Sequence, residues 1–187
     1  MTEIARLKAN DIIFVFIDLQ KKLLDAIDNQ EKVVASNILL LETAKALDLP
    51  YIVTTQYKKG LGELWSSFAE HVAERAFDKT TFSCLQNNSV KNQLNLLQKS
   101  WVVLSGIETH ICVLQTCLDL LSNGRRVAVV TDAVAARHES DHELGLRRME
   151  KSGALLVTKE MLIYEILGRS DDEAFKKLLP LIKSAND

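Results

Sequence analysis

Strand-like apolar runs and helical patterns alternate about five times along this chain, and no tight hairpin turn joins two of the strand-like runs. Successive strands without a hairpin need a crossover, and the intervening helix then covers one face of the sheet. The order predicts a parallel sheet with helices on both faces. The strands are read at Ile12 to Ile17, Tyr51 to Thr54, Trp101 to Leu104, Arg126 to Thr131 and Ala154 to Thr158. The helical patterns run from Glu31 to Leu47, Asn88 to Gln98, Ile111 to Leu121 and Asp141 to Lys151, then through an amphipathic C-terminal remainder that Pro180 interrupts or ends.

The stretch Trp101 to Leu121, WVVLSGIETHICVLQTCLDLL, anchors the rest. Gly106 is read as ending a buried strand. Beyond the turn, Ile111, Leu114, Cys117, Leu118 and Leu121 recur at offsets of three and four, giving one apolar helical stripe. Thr109 is placed as N-cap, which puts Cys112 in the first helical turn. Backbone N–H groups and the positive dipole end favour an anion there, so the thiol is expected to ionise more readily than a free cysteine. The competing reading makes Cys112 a small core hydrophobe, as Cys117 on the stripe is read to be.

Asp18 follows the first strand directly, at the sheet's carboxyl end, where open α/β sheets hold their ligands. A solvated or helix-capping aspartate fits that position equally well. Asp132 is read in the same way after the fourth strand. The segment Thr55 to Leu85 is the least regular, and Gln56, Tyr57 and Trp65 are its pocket candidates. Lys79 stands between Phe77 and Phe82. Base rates make it a surface charge, whereas inward packing of both rings would deliver its ammonium to the crevice. Ser140 to Glu143 matches a capping box. His138 and His142 do not share a helical face and have no evident third partner, so no metal site is read there.

With 187 residues, 47% of them hydrophobic, the chain fits one domain spanning 1–187. The formal net charge of −2 leaves no footprint for nucleic acid. No apolar run reaches membrane-spanning length, and the N-terminus lacks the apolar core of a signal peptide. Three cysteines without paired spacing fit a reducing compartment. A cytoplasmic protein with a small-molecule substrate is expected.

These residues resemble the isochorismatase-like cysteine hydrolases, which include nicotinamidases and N-carbamoylsarcosine amidases. The likeness runs from about Asp11 to about Leu167. It is carried by FVFIDLQ, FDKTTFSCL and above all SGIETHICVLQTCLDLL with TDAVAAR after it. The loop TQYKKGLG is similar to that of a branch of uncharacterised isochorismatase domain-containing hydrolases. The resemblance implies a three-layer α/β/α, Rossmann-like fold with a mainly parallel sheet. It implies a triad in which Cys112 attacks a carbonyl carbon, Asp18 moves the proton and Lys79 stabilises the charged forms. A cis peptide between Ile107 and Glu108 is implied too, with turn amides around Cys112 receiving the oxyanion; Gln56, Tyr57, Trp65, Phe82, Thr109 and His110 are the substrate-side candidates. Glu108 either recognises a cation or holds the turn. Members are commonly dimers or larger, so a homo-oligomer is expected, with the Gly60 to Trp65 loop and the C-terminal helices as interface candidates.

Two departures narrow the reading. Nicotinamidases carry a metal-binding aspartate and histidines in the loop where this chain has Gln56-Tyr57-Lys58-Lys59, so no catalytic metal and no cofactor are expected. Isochorismatases proper cleave a vinyl ether without a nucleophilic cysteine, so Cys112 favours a C–N bond in a small amide or carbamoyl compound. Vinyl-ether hydrolysis and non-catalytic binding on the same fold are the alternatives.

Overall fold

The computed structural model describes residues 6–72 and 76–184. Its strands are β1 Ile12–Ile17, β2 Tyr51–Gln56, β3 Phe77–Lys79, β4 Trp101–Ile107, β5 Arg126–Ala135 and β6 Leu155–Val157. The helices are α1 Lys21–Leu24, α2 Gln30–Ala46, α3 Lys58–Leu61, α4 Ser66–Ala69, α5 Asn88–Leu97, α6 Leu114–Ser122, α7 Glu139–Lys151, α8 Lys159–Leu167 and α9 Glu173–Ser184. The strands lie in the order β3-β2-β1-β4-β5-β6, and every neighbouring pair is parallel.

Burial on both faces explains why the central strands read as continuous apolar runs rather than alternating ones. Phe14, Phe16, Val103, Ala128 and Val130 point to the layer containing α2 and α8, where they join Leu40, Leu162 and Leu178. Ile13, Val15, Ile17, Val102, Leu104 and Val129 point the other way and meet Val90 of α5, Leu120 of α6 and Met149 of α7. Strand order reverses between β1 and β4, and a sheet of this kind opens its crevice at the carboxyl ends of the strands flanking that reversal. Asp18 leaves β1 there, and the turn carrying Cys112 leaves β4.

The structure adds a sixth strand, β3, whose three residues pair Thr54 with Phe77, Thr55 with Asp78 and Gln56 with Lys79. Gly106 does not end β4 but lies within it, at φ +108°, where a Cβ would stand 2.1 Å from the Ile17 carbonyl oxygen. Asp132 is not at a strand end either. β5 runs on to Ala135 past a register shift opposite Leu104 and Gly106, and the Asp132 carboxylate accepts from the Lys159 backbone N–H at 2.7 Å. α2 is buried almost all round rather than on one stripe, because α4, α8 and α9 pack on the side that the sheet leaves free.

The expected capping box does not form: α7 starts at Glu139, with His138 as its N-cap and no side-chain cap bond. Pro180 sits inside α9. The apolar stripe of α9, Leu178 and Ile182, is buried in the same core cluster as α2, so this face of the C-terminal helix is committed to the core.

Candidate active site

β1 ends in a sharp departure. Asp18 takes φ +54°, a conformation uncommon outside glycine and least disfavoured in aspartate and asparagine. Its N–H still reaches the Thr54 carbonyl oxygen at 3.2 Å, and the Thr54 hydroxyl donates to its Oδ1 at 2.7 Å. The second carboxylate oxygen receives the Lys79 ammonium at 2.6 Å, and neither side chain reaches solvent. Lys79 arrives from β3, beside Gln56, and also donates to Gln56 Oε1 at 2.6 Å and to the Thr81 carbonyl oxygen at 3.3 Å. A lysine this deep persists only with such partners.

Cys112 approaches from the other side of the strand-order reversal. The peptide bond between Ile107 and Glu108 is cis, and Thr109–Val113 forms a π-turn in which the Glu108 carbonyl oxygen accepts from both Ile111 and Val113. Single π-turns of this kind are frequent at functional sites. Thr109 is therefore not an N-cap, and Cys112 lies in the π-turn ahead of α6 rather than in that helix's first turn. Its Sγ lies 3.9 Å from Gln56 Oε1, and the residue is 5% exposed.

Electrostatics reverse the sequence expectation for this thiol. Burial pushes the Cys112 pKa up, and the Asp18 carboxylate pushes the same way; Lys79 pulls it down but is outweighed. Burial alone would lower the Lys79 pKa, yet Asp18, Cys84 and Cys112 together raise it. Asp18, Lys79 and the neutral thiol thus form a buried group with no net charge, which ionising the thiol would break. Cys84, wholly buried and 3.9 Å from the Thr54 hydroxyl, is raised to about 11, chiefly by burial.

The remaining predicted site residues divide. Gln56 is in the site. Glu108 is 7% exposed and holds the turn, accepting from the Arg137 backbone N–H at 3.0 Å with the Arg137 guanidinium at 3.2 Å. Thr109 faces α7, with its hydroxyl 2.9 Å from His142 Nδ1. His110 has Nε2 3.8 Å from Asp141 Oδ2. Phe82 is not packed inward: the residue is 58% exposed, and its carbonyl oxygen, 3.5 Å from the Lys79 ammonium, is what it brings to the site. Tyr57 is half exposed over Gly60. Trp65 lies elsewhere. It packs with the α2 layer, because the pairing of Gln20 with Leu64 carries its loop to the face opposite Cys112.

Sequence reasoning passed over Thr54 and Gln20. Thr54 was visible as a hydroxyl beside the end of the second apolar run, and Gln20 as a polar residue two places beyond Asp18. A concavity of about 740 Å³ is lined by Thr55, Lys58, Leu64, Phe77 and Asp78 among others and does not reach the Asp18 group. Among the described residues, no cluster of three His, Cys, Asp or Glu side chains is placed to hold a metal ion, and no helix is long and apolar enough to cross a membrane.

The isochorismatase domain family matches residues 13–161. The chain belongs to the isochorismatase family. It is 33% identical to isochorismatase family protein 1A of Dictyostelium discoideum over 187 residues, which cover 97% of this chain and 90% of that one. Among solved structures, the MAR1 ribonuclease of Caenorhabditis elegans superposes with a TM-score of 0.90 at 38% identity, covering 98% of this chain and 95% of that one. The YcaC gene product of Escherichia coli, described as an octameric hydrolase of unknown specificity, shares the fold with a TM-score of 0.92 at 23% identity, covering 100% and 95%. Membership places the chain among isochorismatase-like hydrolases.

Proposed function

We propose that this isochorismatase-family chain is a metal-independent cysteine hydrolase that cleaves the C–N bond of a small amide or carbamoyl compound through a Cys112 thioester. The observation that carries the reading is the buried Asp18–Lys79 pair at 2.6 Å, linked through Gln56 to the Cys112 thiol. A buried ion pair without a catalytic task is often no better for stability than well-packed apolar residues.

The raised thiol pKa supports the following division of roles. Cys112 rests as the thiol, and Asp18 is the base. As Sγ bonds to the carbonyl carbon, its proton passes to Asp18, so the Lys79 charge balances the oxyanion that forms against the turn amides around Cys112. Asp18 returns that proton to the nitrogen as the C–N bond breaks, releasing ammonia or an amine and leaving the thioester. A water then gives a proton to Asp18 and its oxygen to the thioester carbon. The acid leaves, and Cys112 recovers the proton. Lys79 stays protonated throughout and stabilises each anionic form.

Gln56, the last residue of β2, opens the stretch where nicotinamidases place metal-binding residues, and its oxygen is committed to Lys79, which supports chemistry without a metal. The net charge of −2 and the narrow exposure of Cys112 favour a small molecule over an RNA strand, although three solved neighbours carry a ribonuclease description. The three free cysteines support a cytoplasmic setting, and the octameric YcaC neighbour supports a homo-oligomer.

The test is a panel of small amides, carbamoyl compounds, isochorismate and RNA, with ammonia release and the mass of the Cys112 peptide as readouts. Amide turnover with an acyl mass on Cys112, reduced about a thousandfold or more in Cys112→Ala, is expected. Turnover of isochorismate that survives Cys112→Ala would favour vinyl-ether hydrolysis. An inert panel with an unreactive Cys112 would leave a binding protein.

A further inference from the structure

The Gln56 carboxamide is engaged through both its oxygen and its nitrogen. Its oxygen takes the Lys79 ammonium at 2.6 Å with the Cys112 sulfur at 3.9 Å, and its nitrogen donates to the Thr80 carbonyl oxygen at 3.0 Å. Its backbone is held as well. Gln20, wholly buried, accepts from the Gln56 N–H at 2.6 Å and donates to the Gln56 carbonyl oxygen at 3.1 Å and the Gly62 carbonyl oxygen at 2.7 Å. One side-chain amide therefore pairs with Gln56 as a neighbouring strand residue would. The β1 backbone cannot do this, because the chain swings away at Asp18.

From this geometry, and resting on the hydrolase reading above, we infer that Gln56 is a positioning residue that acts through Lys79, with the Gln20 amide as its clamp. Lys79 has three N–H bonds. Asp18 takes one, and Gln56 supplies a second acceptor of comparable length without a second negative charge. Removing that acceptor lets the ammonium settle more fully on Asp18, which makes the carboxylate a poorer acceptor for the thiol proton. Replacing it by a carboxylate gives Lys79 a rival anion and adds a negative charge beside the sulfur, which opposes thiolate formation. The charged or titratable groups facing Gln56 are Lys79, Asp18, Cys112 and, behind Thr54, Cys84.

The experiment is the rate of Cys112 alkylation by iodoacetamide against pH, read by peptide mass spectrometry in the full chain. Gln56→Glu and Gln56→Met are compared with the wild type, with far-UV circular dichroism as a check on folding. The near-isosteric Gln56→Glu is expected to move the alkylation midpoint up by about one pH unit or more, a tenfold loss of rate at fixed pH below the midpoint. Gln56→Met is expected to slow alkylation about fivefold or more with a smaller move of the midpoint. A merely structural role would lower thermal stability without moving the midpoint. If both folded variants keep the wild-type rate and midpoint within twofold, the positioning role is overturned while a reactive wild-type Cys112 leaves the hydrolase reading intact. If wild-type Cys112 reacts no faster than Cys117, both are overturned.

Discussion

The Lys79 ammonium stands 2.6 Å from the Asp18 carboxylate, and neither side chain has any exposed surface. The two residues are separated by 61 positions and come from β3 and the end of β1, so the contact also ties the sheet edge to its centre.

Cutting that tie has a stability consequence distinct from catalysis. Lys79→Met takes the cation away from a buried carboxylate that keeps the Thr54 hydroxyl, and a broken buried pair costs about 3–5 kcal/mol. Urea unfolding is expected to register that loss, and adding Asp18→Asn should recover much of it, because the double variant leaves no unpaired charge. Equal stability of single and double variants would contradict the argument.

The two cysteines beside the pair are separable. Cys84→Ala removes a small buried thiol whose sulfur touches Thr54, and is expected to cost roughly 1–2 kcal/mol while leaving turnover and Cys112 alkylation within about threefold of wild type. Loss of turnover with Cys112 still reactive would move the nucleophile to Cys84.

Alkaline pH should destabilise the fold through its thiols. An unfolded cysteine loses its proton near pH ~8.5. Burial holds the proton on folded Cys84 to about 11 and on Cys117 to about 12. Between these limits the unfolded chain binds fewer protons than the folded one, so stability is complete below pH ~8.5 and falls as pH rises, by about 1.4 kcal/mol per pH unit for each thiol. Urea titrations at pH 8, 9 and 10 should give that slope, and Cys117→Ala should remove one thiol's share of it.

The turn before Cys112 leans on α7. Thr109→Val deletes the hydroxyl that meets His142 Nδ1 at 2.9 Å, in a buried position. A stability loss of about 1 kcal/mol is expected. Alkylation of Cys112 should slow as the turn loosens, whereas His142→Gln, which offers a replacement partner, should lose less. Identical rates in all three proteins would detach the turn from α7.

The sheet and its crevice were legible because burial on both faces writes itself as unbroken apolar runs, such as IIFVFI, with a carboxylate or glycine close by. β3 was not legible, since three residues within an irregular segment carry no period. Lys79 defied its base rate because its partner lies 61 positions away, and no local pattern records that. Asp132 imitated Asp18 in sequence, but the register shift in β5 carried that strand past it. The sign of the thiol's shift was missed for a related reason: a turn position announces nearby amides, whereas the depth of burial and the Asp18 charge that outweigh them come from distant strands.

Gly106 approaches the Ile17 backbone so closely that a single methyl group would not fit. Asp18 leaves one of the strands that meet there and the turn carrying Cys112 leaves the other, so the separation of these two residues is set by main chain against main chain rather than by interchangeable side chains. Tyr57 and Phe82, by contrast, present exposed rings beside the site with little packed around them. On the proposed hydrolase reading, substrate preference can diversify through such rim positions while the Asp18–Cys112 separation stays fixed.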